Sequence, residues 1–291
     1  MKILSCHSLG DKRFSPLFCR LEAFGTIRSI KEHYQLTKRF QGKPAPMSWQ
    51  EAEDWHKQGI ACVGFELPNG LWLPPDTKRV DDLAVQFYIA LWLKYLRLHP
   101  ELIAIASEYD EFEDIFQENF QFSQADIIRQ AVRDGLDSFK PMCESFLDRC
   151  RHFIARDLLK IERGIIAHQV NLKGKMGAGL ALQIRRRYPA VWEQYRRDYQ
   201  QIQLGQVQLV PVSQSLYVAN LAAQTDYGID RRQTDYDALA RCLAELADFS
   251  RQLHLTPYLP HGLGCGLAGG DWRIVCGLIL RHCPQAVVCR L

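Results

Sequence analysis

The sequence predicts an α/β domain with a mixed, mostly parallel sheet between helices in the C-terminal half, preceded by a mainly α-helical (α+β) domain. Three observations carry this. Beyond Arg156, short apolar runs alternate with helical segments, the pattern of strands joined by crossover helices. Before it, the apolar stretch Leu83–Leu98, followed by Pro100, reads as a long buried helix. Finally, a length of 291 residues exceeds one average domain and places two, over residues 1–150 and 152–291.

Helix starts in the N-terminal half are marked by capping boxes, in which a hydroxyl caps the first turn and an acid three residues later answers it. Ser29 with Glu32, Ser48 with Glu51 and Ser123 with Asp126 fit this spacing, and Thr234 with Asp237 fits it in the C-terminal half. Phe112, Ile115 and Phe116 extend an aromatic, acidic stretch beyond the long helix. In the C-terminal half the runs 164–170, 206–212, 216–221, 256–260 and 286–290 read as strands. Tyr236, Leu239, Cys242, Leu243, Leu246, Phe249 and Leu253 recur at helical spacing and mark one crossover helix.

Charge is unevenly divided. Residues 1–150 hold 18 basic and 22 acidic side chains, whereas residues 151–291 hold 18 and 11. The positive field of the second half suits phosphate-bearing ligands or nucleic acid, and equally a solvated basic surface. The ten cysteines are scattered without CxxC spacing, so reduced, buried thiols are expected rather than disulfides or a metal site. The first fourteen residues contain no long apolar core, and Gln86 and Lys94 interrupt the most apolar stretch. A cytoplasmic protein with no membrane partner is the expectation.

Two glycine-rich loops carry the chemistry. NLKGKMGAGLAL follows the run IIAHQV with glycines at 174, 177 and 179, and PHGLGCGLAGGDW places Gly262, Gly264, Gly266, Gly269 and Gly270 between TPYLP and the next helix. One such loop serves close packing as readily as ligand binding. Two at the carboxyl ends of neighbouring strands form a crevice in which backbone amides meet an anion. Neither loop has the GxGxxG pattern with a following acid, nor the Lys-Ser/Thr ending of a P-loop, which argues against NAD or ATP sites.

The segment GIIAHQVNLKGKMGAGLALQIRRRYPAVWEQY, with YVANLAAQTDYG and PHGLGCGLAGGDW, resembles a macrodomain. It is most similar to the branch containing ADP-ribose-1″-phosphate phosphatases and antitoxins that remove ADP-ribose from DNA. The resemblance implies that Asp157 receives the adenine amino group, with a cap or surface acid as the alternative, and that Asn171 binds the distal ribose. Loop residues Gly174, Met176, Gly177, Ala178 and Gly179 would wrap that ribose, while Gly262, Leu263, Gly264, Cys265, Gly266 and Leu267 would cradle the diphosphate. His168 matches a histidine of the phosphatase-like branch and stands as a candidate base or as a packed core residue. Asp226 is a further candidate acid, and Asp271 stands where a helix N-cap belongs. The resemblance departs at Arg185, Arg186 and Arg187, where the DNA-directed relatives carry a catalytic lysine; a guanidinium stays protonated and cannot replace an amine base.

The opening FSPLFCRLEAFGTIRSIKEHYQLTKRF and the later LWLKYLRLHPELIAIASEYDEFEDIF are similar to NADAR domains, which act on N-glycosidic bonds. That likeness implies Glu32 as acid/base, with His33, Lys38, Trp72 and Asp114 lining its pocket; as the third residue of a capping box, Glu32 also has a structural role. Together the resemblances imply an ADP-ribosyl hydrolase acting on a modified nucleic acid, nucleoside or protein, as in defence against an ADP-ribosylating toxin. The alternatives are a non-catalytic ADP-ribose reader and an ADP-ribose-1″-phosphate phosphatase. No cofactor or metal is expected; the ligand is ADP-ribose or its conjugate, with DNA or RNA as a further partner.

Overall fold

A computed structural model describes residues 1–6, 8–75, 82–113 and 123–290. The chain divides into two compact units, Met1–Cys150 and Arg151–Leu291.

The first unit mixes helices with short strands. In chain order it contains β1 (Ile3–Ser5), β2 (Arg20–Ala23), β3 (Thr26–Ser29), α1 (Ile30–Gln35), β4 (Lys38–Phe40), α2 (Trp49–Lys57), β5 (Cys62–Glu66), β6 (Trp72–Leu73), α3 (Leu83–Leu98), α4 (Glu101–Ala106), β7 (Glu111–Glu113), α5 (Gln124–Asp134) and α6 (Lys140–Arg151). The strands form a parallel β1–β7 pair, a β2–β3 hairpin and an antiparallel β4–β5–β6 sheet.

The expectation for this half is mainly α-helical (α+β), and the short strands are the part that the sequence leaves unplaced. The strands are short, so an alternating pattern has little room to show. The β2–β3 turn is made by Phe24 at φ 52° and Gly25 at φ 74°, the positive pair that a tight hairpin needs. Helix α3 spans the residues the apolar run marked and buries Phe87, Leu91, Trp92 and Leu96. Ile115, Phe116 and Asp114 lie outside the described residues.

Ser29 caps α1 and Ser123 caps α5 in complete capping boxes. At α2, Ser48 accepts from the Glu51 amide, but the Glu51 carboxylate turns to the Met47 amide at 2.8 Å.

The second unit is a six-stranded sheet between helices. Its elements are β8 (Phe153–Ala155), β9 (Gly164–Asn171), α7 (Gly179–Arg187), α8 (Pro189–Asp198), β10 (Val207–Pro211), β11 (Leu216–Gln224), α9 (Tyr236–Leu253), β12 (Pro257–Pro260), α10 (Trp272–His282) and β13 (Val287–Arg290). Strand order is β10-β11-β9-β12-β13-β8, with only the β10–β11 pairing antiparallel.

The sheet's faces follow from the residues. Ile166, Val218 and Val210 pack with Ile184 and Val191 of the α7–α8 layer. Val170 and Ala222 continue this face against Met176 and Tyr195. Helix α9 buries Leu239, Cys242, Leu243 and Leu246, the stripe its periodicity predicts. Its N-cap is Asp235, which accepts from the Ala238 amide at 2.8 Å, and not Thr234. Thr234 is instead buried and donates to the Gly264 carbonyl at 2.7 Å.

Cys242, Cys276, Cys283 and Cys289 are buried in this unit. Burial pushes Cys242 and Cys283 up to about 12 and Cys289 to about 11. Among the described residues, no helix is long and apolar enough to cross a membrane.

Candidate functional site

Because β8, β9, β11, β12 and β13 run parallel, their carboxyl ends share one edge of the sheet. The loops after β9, β11 and β12 emerge there, the position where open α/β sheets bind ligands. A cavity of about 570 Å³ lies among these three loops, and residues 177–181, 227–229 and 260–264 contribute to its wall. The volume falls within the usual range for small-molecule pockets.

Helix α7 starts at the cavity without a side-chain cap. Its first-turn amides and positive dipole end therefore lie where an anion is stabilised. Among the described residues that line it, only Lys175 carries a permanent charge, and none is a carboxylate.

The second loop is a chain of turns fixed to its neighbours. The amide of Cys265 donates to Gly262 at 2.8 Å and that of Gly270 to Gly264 at 2.9 Å, while the Gln233 amide reaches the Ala268 carbonyl at 2.9 Å. Gly264 adopts φ +68°, and a Cβ there would stand 2.4 Å from Gln169 Oε1. Gln169 Nε2 in turn donates to Gln224 Oε1 at 2.7 Å and Thr234 Oγ1 at 2.9 Å. This cluster joins the ends of β9 and β11 to the β12 loop.

Of the residues singled out in the sequence, His168, Asn171, Gly177, Ala178, Gly179, Gly262, Leu263, Gly264, Gly266 and Leu267 line the cavity. Asn171 holds its own loop: Oδ1 accepts from the Lys173 and Lys175 amides at 2.9 and 3.2 Å, and Nδ2 donates to the Lys175 carbonyl at 2.8 Å. The Tyr195 hydroxyl donates to its backbone carbonyl.

Other residues stand apart from the wall. Gly174, at φ +63°, backs onto the Tyr199 ring, and Met176 is buried with Val170 and Tyr195, so both shape the loop from behind. Cys265 turns its thiol to the Leu263 carbonyl at 3.2 Å, and burial, then Asp271, pushes it up to about 12. Asp157 caps the short turn Leu158–Lys160 through the Leu159 amide at 2.9 Å. Asp226 accepts from the Tyr227 amide at 2.8 Å, and Asp271 caps α10. Arg185, Arg186 and Arg187 are exposed, with Arg185 4.4 Å above the Trp192 ring.

The residues expected around Glu32 belong to the first unit. Glu32 Oε2 accepts from the Ser29 amide at 2.8 Å, and Arg20 lies 3.8 Å away. Burial alone pushes this carboxyl up, but Ser29's amide and hydroxyl, then Arg20 and Arg28, outweigh it and hold it below its ordinary value. Glu32 is thus the capping acid of α1. His33 is buried with Nε2 3.1 Å from the Leu21 carbonyl, Lys38 sits over the Tyr34 ring at 5.1 Å, and Trp72 lies in β6 opposite Glu66.

Sequence reading missed Gln169, Gln224, Tyr227, Ile229 and His261 in the cavity wall. The signal available for the two glutamines, and for His168 and Asn220, is a polar residue inside an otherwise apolar strand, which is unfavourable unless it finds a partner.

His168 is buried, and burial holds its imidazole down at about 4, with the Asn220 hydrogen bond opposing weakly. The unfolded chain therefore binds this proton more readily than the native one. Stability from this group is complete above about pH 6.5, and is lost as pH falls through the window down to about 4. Chemical denaturation across that window should show a loss of roughly 3 kcal/mol that His168→Phe removes. An unchanged slope in the variant would assign the pH dependence elsewhere.

No protein-family model matches the chain. Among curated proteins, the chain is 27% identical over 124 residues to a DNA ADP-ribosyl glycohydrolase of Mycobacterium tuberculosis (strain ATCC 25618 / H37Rv), a match covering 41% of this chain and 34% of that protein. The chain thus spans about a third of that relative's length. It is 29% identical over 125 residues to an uncharacterized 17.5 kDa protein of Enterobacteria phage T4, covering 39% of this chain and 76% of that one. Among solved structures, a macrodomain protein from Streptomyces coelicolor is similar at 29% identity and a TM-score of 0.40, over 47% of this chain and 95% of that one.

Proposed function

We propose that the unit Arg151–Leu291 is a macrodomain-type module that holds ADP-ribose, and that the chain removes ADP-ribose from a modified macromolecule. The observation that carries this reading is the convergence of both glycine loops and the start of α7 on one cavity. Main-chain amides and a helix N-terminus suit a diphosphate, and the cavity volume suits a nucleotide-sized ligand. The mycobacterial relative, a DNA ADP-ribosyl glycohydrolase by name, makes DNA the first acceptor to test.

A second reading is a reader that holds ADP-ribose without cleaving it. It is favoured by the lack of a carboxylate among the described residues of the wall and by arginines at 185–187 that lie outside that wall. Titration calorimetry with free ADP-ribose should give saturable heat under both readings, and its absence would remove both. Release of ADP-ribose from ADP-ribosylated DNA then separates them: the hydrolase liberates free ADP-ribose, while the reader leaves the conjugate intact and bound.

A further inference from the structure

Three polar side chains from neighbouring strands lie in register across the sheet. Gln208 of β10 stands opposite Asn220 of β11, and Asn220 stands opposite His168 of β9. Asn220 and His168 are buried, at 0% and 2% exposure. Their hydrogen bonds run in one direction, set at the outer end. The Asp198 carboxylate only accepts, so Gln208 meets it with Nε2, at 2.9 Å. That leaves Gln208 Oε1 to accept from Asn220 Nδ2, at 2.9 Å. Asn220 Oδ1 then faces His168 Nε2 at 2.6 Å, and the imidazole nitrogen has to be the donor.

A neutral imidazole carries one N–H, so Nδ1 is left as a bare acceptor. Burial keeps this ring neutral at pH 7. Nδ1 is itself buried and has no hydrogen-bond partner among the described residues, an unfavourable arrangement for a polar atom. His168 is among the residues lining the cavity, and with Nε2 committed to the adjacent strand, Nδ1 is the polar atom of the ring left to meet a ligand.

We propose that His168 is a ligand-contacting residue whose Nδ1 accepts a hydrogen bond from a ribose hydroxyl, and that Asp198, Gln208 and Asn220 are positioning residues that fix its tautomer. The inference rests on the ADP-ribose reading of the cavity and deepens it. An N–H on the cavity side would favour an ionised oxygen; a bare nitrogen favours a group that carries a hydrogen. The relay thereby selects a hydroxyl-terminated sugar over one ending in an ionised phosphate at that point.

The test uses the full chain labelled with 15N-histidine. In the free protein His168 should show a protonated Nε2 and an unprotonated Nδ1, and the Nδ1 resonance should move when ADP-ribose is added to saturation. Gln208 does not line the cavity, so Gln208→Leu should populate both tautomers and weaken ADP-ribose about tenfold, the loss of one ordinary hydrogen bond. An Nδ1–H tautomer in the free wild-type protein overturns the relay. An Nδ1 resonance unmoved by ADP-ribose that calorimetry shows to be bound overturns the contact while sparing the ADP-ribose reading. No calorimetric binding at all overturns that reading and the proposed contact together, whereas the tautomer in the free protein still decides the relay. Should Gln208→Leu not fold, the wild-type spectra suffice.

Discussion

Replacing Gly264 by alanine should abolish calorimetric ADP-ribose binding and lower unfolding stability by roughly 2–4 kcal/mol. The φ of +68° at this position is costly for any residue with a Cβ. That Cβ would also stand 2.4 Å from Gln169 Oε1 and 2.9 Å from Thr234 Oγ1. Relief requires Gln169 to swing away, which breaks its bonds to Gln224 and Thr234 and frees the β12 loop from the ends of β9 and β11. Gly266→Ala is the matched control, since its added methyl meets nothing within 4 Å and should leave stability nearly unchanged. Equal binding by Gly264→Ala and wild type would mean that the loop's conformation is not what holds the ligand.

Asn171→Ala should cost about 2–3 kcal/mol in thermal or chemical unfolding and weaken ADP-ribose at least about tenfold. The amide side chain makes three bonds to the backbone of its own loop, to the amides of Lys173 and Lys175 and to the carbonyl of Lys175. Their loss releases the segment that carries Gly177, Ala178 and the start of α7 into the cavity wall. Asn171→Asp should fall between the two, because it keeps the acceptors for the two amides and loses the donor to Lys175. If Asn171→Ala unfolds like wild type yet loses the ligand, Asn171 acts by direct contact rather than by ordering the loop.

The second unit was largely legible because its strands are mostly apolar runs between turn signals: the run read at 164–170 is the strand Gly164–Asn171, and that at 216–221 lies within Leu216–Gln224. The glycine loops were legible for a similar reason, since so many glycines between a strand and a helix have few other uses. What each glycine does was not. Gly174 reads like Gly264 in the sequence, but one backs onto Tyr199 and the other onto the polar cluster of Gln169 and Thr234. That difference depends on residues far along the chain. Likewise, the row formed by His168, Asn220 and Gln208 exists only through strand register, which no local pattern specifies. In the first unit, strands as short as Lys38–Phe40 and Trp72–Leu73 leave too few positions for an alternation to appear, and the helices dominated the reading.

The buried sulfurs of the second unit have a practical consequence. Thiolate is the form that alkylating reagents attack, and Cys242, Cys283 and Cys289 are kept protonated by the interior around them. Their modification therefore waits on excursions that expose the sheet and its flanking helices to reagent. The rate at which these positions are labelled becomes an internal clock for such openings, readable without introducing any foreign probe, and a tightly held nucleotide would be seen as a slowing of that clock.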